Sequence, residues 1–239
     1  MTKQAKKQEN FHPITVEDHK ALAEIHKRNN RTAVNDALGF PGGDAFETYL
    51  DELLKSDAEA NGEVIAIALL DLDNFDHINK DFGADEGDRV IIAAGRHIQE
   101  SIPKEATIFR IGGDEFGVIF RGTMEREEIF LLLNDLKNHY DVTTPDGVRQ
   151  SMTIGMATAF EDASRCPELI RKADSALYRA KASGRNKIAM AKEEKMVPKT
   201  SHYTQDQLQR LAKLAKREGV GEAILLREAL DMLLKKYDI

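Results

Sequence analysis

The sequence predicts an α+β fold, on three observations. Val64 to Leu70 are seven apolar residues in succession with no charge among them, the mark of a strand buried on both faces and too short to span a membrane. Phe109 and Ile111, then Phe116, Val118 and Phe120, alternate with other residues on either side of Gly112 to Glu115, which predicts a hairpin with its tight turn at those four positions. Arg89 to Ile98, and two further stretches beyond residue 204, carry apolar residues at helical spacing.

The elements follow in chain order. Ile14 to Asn29 predicts one helix, with Thr15 as cap and Glu17 and Asp18 in its first turn. Residues 1–35 are therefore read as a tail and short helix ahead of a main domain at 36–191. In that domain the strand Val64 to Leu70 ends in Asp71-Leu72-Asp73, followed by Asn74-Phe75 and by Gly87-Asp88 opening the amphipathic segment Arg89 to Ile98. Asn186 to Met190 predicts its last strand.

Carboxylates at the exit of a core strand are costly to bury unless something pairs with them, and a divalent cation is one such partner. The alternative is that Asp71 and Asp73 cap the next helical turn, which aspartate does well. Asp114 and Glu115 add two more hard oxygen ligands at a turn tip, beside the amides of Gly112 and Gly113, where a metal-bound triphosphate could sit. The bland reading of that turn is ordinary hairpin chemistry with a solvated tip.

Five motifs in order now carry a resemblance. They are Asp71-Leu-Asp-x-Phe75 with Ile78-Asn79 and Gly83, Gly87-Asp88, Arg110-x-Gly-Gly-Asp-Glu-Phe116, Ser151-Met-Thr-Ile-Gly155, and Ala173-Asp174-x-Ala-Leu-Tyr178-x-Ala-Lys181-x-x-Gly184-Arg185-Asn186. Over roughly residues 36 to 191 the chain resembles the GGDEF domains, the diguanylate cyclases. The resemblance implies a palm-like nucleotide-cyclase fold, a central and mostly antiparallel sheet flanked by helices. It implies condensation of two GTP to cyclic di-GMP with release of two pyrophosphates. By the same resemblance Asp71, the Leu72 carbonyl, Asp114 and Glu115 hold Mg2+ or Mn2+, with Asp114 and Glu115 the catalytic pair and Glu115 a metal ligand or base at the ribose 3′-hydroxyl. Phe75, Asn79, Asp88, Gly113, Lys181 and Arg185 contact substrate: Asn79 and Asp88 read the guanine edge, which an amide and a carboxylate suit, and Lys181 and Arg185 grip phosphates from one face of the last helix. Asp88 favours guanine over adenine.

Three departures from the family pattern stand out. Asp76 occupies a place that commonly holds a phosphate-side lysine, and a like charge there should weaken triphosphate binding. The usual opening Asp-x-Leu-Thr-Gly-Leu-x-Asn-Arg has become Asp36-Ala-Leu-Gly-Phe-Pro-Gly-Gly-Asp44. The inhibitory Arg-x-x-Asp of many relatives falls on Pro103 and Ala106, so product inhibition through that site is not expected.

Composition predicts a cytoplasmic protein with no membrane association. The chain has 239 residues and a net charge of -7; its single Cys166 excludes an internal disulfide; and no apolar stretch follows Lys3, Lys6 and Lys7 to make a signal peptide. Residues 192–199 are charged, contain Pro198 and read as a linker. Residues 200–239 then offer a short strand at Thr200 to Tyr203 and a helix capped by Thr204 with Leu208, Leu211, Ala212, Leu214 and Ala215 on one face. A break at Gly219-Val-Gly221 precedes a second helix carrying Leu226, Leu230, Leu233 and Leu234.

This order resembles a ribbon-helix-helix module, which implies a homodimer whose paired strands enter the DNA major groove, with Thr200 and His202 turned toward it. So small a segment cannot bury enough core alone, which independently favours dimerisation. From Glu193 onward nine Lys and Arg stand against eight Asp and Glu, so a dimerisation clip without DNA is as well supported as a DNA reader. Three readings follow: a cyclase dimerised by its C-terminal module, a DNA-binding regulator whose cyclase-like domain only senses nucleotide, and a bifunctional protein.

Overall fold

A computed structural model describes residues 34, 36–191, 199–218 and 221–237, so the predicted helix over Ile14 to Asn29 lies outside the described residues. The chain divides into two compact units, residues 1–193 and 194–239.

The larger unit runs α1 (Gly43–Leu54), β1 (Val64–Leu72), α2 (Phe75–Phe82), α3 (Ala84–Ser101), β2 (Thr107–Arg110), β3 (Glu115–Gly122), α4 (Arg126–His139), β4 (Met152–Thr158), α5 (Cys166–Ala182) and β5 (Ile188–Met190). Its five strands lie in the order β2-β3-β1-β4-β5, antiparallel except for the parallel β4–β5 pair. The apolar run that predicted β1 is explained by its central place, since helices cover both faces. Ala66, Ala68, Leu70 and Leu72 join one core with residues of α2, α3 and α4; Ile65, Ile67 and Leu69 join a second with residues of α1 and α5.

The same period-two alternation decides where the acids go. Asp71 follows Ile65, Ile67 and Leu69 onto the α5 face. Its register partners are Glu115 on β3 and Thr153 on β4. β1 thus runs two residues past the predicted end and takes Asp71 and Leu72 into the sheet.

Two glycines set the helix spacing around this point. A side chain at Gly155 of β4 would come within 2.2 Å of the Ala173 carbonyl and 2.4 Å of the Leu177 amide, so only glycine lets α5 lie directly on the sheet. Lys181, one turn beyond Leu177, is carried over β1 by that contact. A side chain at Gly87 would meet the Asn79 Oδ1 at 2.0 Å, which fixes the crossing of α2 and α3. Gly87 and Asp88 therefore sit inside α3, which begins at Ala84, rather than opening a helix at Arg89. An amphipathic stripe marks the buried face of a helix but not its polar first turn, here Asp85 and Glu86.

In the smaller unit, α6 (Gln205–Glu218) and α7 (Glu222–Lys236) match the two predicted helices. Thr204 caps α6 as expected, its Oγ1 accepting from the Gln207 amide at 3.2 Å while Gln207 accepts from the Thr204 amide at 2.9 Å. Thr200 to Tyr203 form no strand in the single chain. A ribbon strand obtains its ladder hydrogen bonds from a second copy, and one chain alone offers it none.

Candidate active site

The strand-end acids gather above the β1–β3 pair. Asp71 is 7% exposed, and its Oδ2 accepts from Lys181 Nζ at 2.6 Å. Burial pushes its carboxyl up to about 6 and the Asp114 and Glu115 charges add to that, against the opposing pull of Lys181. Asp114 is also raised, first by burial, with contributions from Glu115 and Asp76. The Leu72 amide donates to the Asp114 carbonyl at 3.3 Å, tying the two acidic segments together.

Arg110 builds the turn that presents Asp114. Its side chain is buried and donates through Nε and a terminal nitrogen to the Gly113 carbonyl, at 3.3 and 2.8 Å. The amides of Ile111 and Gly112 both donate to the Glu115 carbonyl, closing the predicted hairpin. A side chain at Gly113 would meet nothing within 4 Å, so packing does not demand glycine there and open space lies beside the turn. Sequence reasoning quoted Arg110 within its motif without giving it a role; an arginine two residues before a glycine turn was the available signal.

Asn79 rests against Gly87, the chain neighbour of Asp88, where α2 crosses α3. Burial raises the Asp88 carboxyl while the Arg110 charge opposes it. Phe75 is buried at the start of α2. Lys181 lies in the last turn of α5, but Arg185 lies beyond that helix, at φ 57° in the left-handed region, so the two cations do not share a helix face as expected. Gly184 ends α5, and the chain reverses there before β5. The capping reading of Asp73 also fails, since the N-cap of α2 is Asn74 and Asp73 bonds elsewhere.

Among the described residues no three His, Cys, Asp or Glu side chains make a group that could hold a metal ion. A Mg2+ site does not require one, because that ion keeps several waters and is held by one or two carboxylates together with substrate phosphates. The donor set fits: Asp71 and Asp114 are carboxylates raised by burial and by neighbouring acids, and an ammonium already stands on Asp71 where a cation is wanted.

Residues 33–187 match the family described as "Diguanylate cyclase, GGDEF domain". The chain belongs to the GGDEF diguanylate cyclase family. Residues 196–238 match the ribbon-helix-helix domain, so the smaller unit carries that domain at the C-terminal side. The chain is 34% identical over 173 residues to the probable diguanylate cyclase DgcC of Escherichia coli K12, covering 71% of this chain and 46% of DgcC. It thus spans less than half the length of these curated relatives. Among solved structures it is similar to the GGDEF domain of PA1120 (TpbB or YfiN) from Pseudomonas aeruginosa, with TM-score 0.61 and 28% identity over 65% of this chain and 92% of that one. It is also similar to the GGDEF domain of DgcB from Caulobacter crescentus in complex with c-di-GMP, with TM-score 0.57 and 25% identity over 63% and 91%. No helix among the described residues is long and apolar enough to cross a membrane.

Proposed function

We propose that this GGDEF chain is an active diguanylate cyclase that condenses two GTP to cyclic di-GMP and two pyrophosphates across a dimer. The observation that carries the reading is the Asp71–Lys181 pair, a buried carboxylate and an ammonium poised together beside Asp114 and Glu115. Asp71, Asp114, Glu115 and the Leu72 carbonyl would hold Mg2+ or Mn2+. Such an ion, when bound, polarises a phosphoryl oxygen and lowers the pKa of an attacking hydroxyl.

The chain's own groups do the rest. Lys181, which here stands on Asp71, and Arg185 would hold the phosphates. Asn79 and Asp88 orient guanine, and Phe75 packs under that corner. Gly113 leaves the turn open for close approach of a phosphate. Glu115, in register with Asp71, would take the 3′-hydroxyl proton. The ribbon-helix-helix domain pairs two chains, and so raises the effective concentration of one GTP-loaded domain for the other.

The test is turnover of GTP in Mg2+ by the wild type and by Asp114→Ala/Glu115→Ala. The reading expects loss of product in the variant with its fold intact, and undiminished turnover would refute the assignment.

A second reading has a specific observation behind it. Asp76, in the first turn of α2, raises the Asp114 carboxyl by its charge, and an added acid opposes triphosphate binding. Here the domain would only sense nucleotide while Thr200 and His202 contact DNA. A gel shift on palindromic DNA, lost on His202→Ala, with no cyclic di-GMP formed, would favour it.

A further inference from the structure

Asp73 is 4% exposed, stands within the field of the Lys137 ammonium, and has both its oxygens in hydrogen bonds. Oδ1 accepts from the Thr153 hydroxyl at 2.6 Å. Oδ2 accepts from the Ser151 hydroxyl at 2.6 Å and from the backbone N–H of Asn186 at 3.0 Å. A buried carboxylate satisfied by two hydroxyls and one amide is a costly device for mere packing, where an apolar residue would serve.

The third donor shows what it secures. Arg185 and Asn186 both adopt left-handed backbone conformations, φ 57° and 46°, which asparagine tolerates but arginine adopts rarely and keeps only where its surroundings hold it. The Arg185 amide donates to the Ala180 carbonyl at 3.1 Å, fixing one side of this turn to α5. Asp73 fixes the other side to the end of β1, two residues from Asp71, and Lys137 Nζ donates to the Asn186 side chain at 3.2 Å.

We propose that Asp73 is a positioning residue that clamps the strained 185–186 turn to the acid-bearing end of β1, so that Arg185 is held at a fixed place relative to Asp71 and Asp114 for the nucleotide phosphates. Asp73 does not touch substrate; it acts through Arg185. The proposal rests on the phosphate role proposed above for Arg185.

The test is a double-mutant cycle read by calorimetric binding of 3′-deoxy-GTP, which lacks the attacking hydroxyl and cannot condense, to the full chain in Mg2+. Arg185→Ala should weaken binding about tenfold, as loss of a charge-assisted phosphate contact does. Asp73→Ala should weaken it by a similar factor alone and by less than about twofold in the Arg185→Ala background, because two changes that remove one interaction are not additive. Asp73→Asn can still accept from the Asn186 amide while donating to Thr153, and should bind within about threefold of wild type.

If Asp73→Ala does not fold, Asp73→Leu, which likewise cannot accept from the Asn186 amide, takes its place in the cycle. Equal weakening by the Asp73 change in both backgrounds, or none in either, overturns the proposal while leaving the role of Arg185 standing. Unaltered binding in Arg185→Ala alone overturns the phosphate role itself, and the positioning role with it.

Discussion

The two units of the chain treat their apolar residues in opposite ways. In the GGDEF domain Leu50, Ile65, Ile67, Leu70, Phe116 and Leu133 are almost wholly buried, because helices close both faces of the sheet within one chain. In the ribbon-helix-helix domain Leu208, Leu230 and Leu233 are 44%, 53% and 50% exposed, although the helices that carry them are regular and amphipathic. One domain buries its apolar residues within its own chain, and the other leaves an apolar face exposed that the proposed dimer would cover. A reaction that joins two bound nucleotides needs both properties: a site built in advance in each chain, and a contact that brings two such sites together.

The largest effect should come from destroying the prebuilt half. Asp114→Ala with Glu115→Ala is expected to lower turnover by at least about a thousandfold while the protein stays dimeric by sedimentation. Breaking the other half should spare the site and cost only the encounter. Leu230→Glu with Leu233→Glu is expected to give monomers whose turnover falls by about tenfold to a hundredfold at low protein concentration and recovers as concentration rises. Recovery identical to wild type at every concentration would mean that the C-terminal domain does not assemble the cyclase.

Asp71→Asn separates stability from function within the prebuilt half. The folded carboxyl holds its proton more tightly than the unfolded chain does, so ionised Asp71 costs stability as pH rises from about 4 to about 6 and throughout neutral pH. The metal-free Asp71→Asn protein should therefore be more stable than wild type at pH 7, by about 1–3 kcal/mol, and should lose the rise in melting temperature that Mg2+ gives the wild type. Gly113→Ala sharpens the same distinction, because no neighbour lies where the methyl would go. Its melting temperature should match wild type to within a degree or two, while GTP affinity falls. The smallest effect is expected of Asp76→Lys, which removes a charge felt at Asp114 and should improve GTP affinity by about threefold.

The fold was largely legible because its signals are local. An uncharged apolar run, an alternating hairpin and a Thr-x-x-Gln cap each state their structure within a few residues, and β1, the β2–β3 turn and α6 stand where they were expected. The errors fell where boundaries depend on partners. β1 gained Asp71 and Leu72 because β3 and β4 pair with them, and residues 200–203 form no strand where no described strand of the chain pairs with them. The candidate site was legible as a set of motifs but not as a structure. Asp73 reads as a helix cap until Ser151, Thr153 and Asn186, 78, 80 and 113 residues away, are seen to converge on it. Arg185 likewise reads as one turn further along α5, and only Gly184 and the left-handed turn after it take it off the helix.

The proposed cyclase activity is tested most directly by the product that the full chain makes from GTP. Incubation with GTP and Mg2+ at several protein concentrations, beside ATP alone and an equimolar mixture, resolves the nucleotides by chromatography. The account predicts cyclic di-GMP with matching release of pyrophosphate, none from ATP alone, and none from the Asp114→Ala/Glu115→Ala protein. GTP bound but unchanged at every concentration, by a protein that is dimeric, would contradict it and leave nucleotide sensing as the work of this domain.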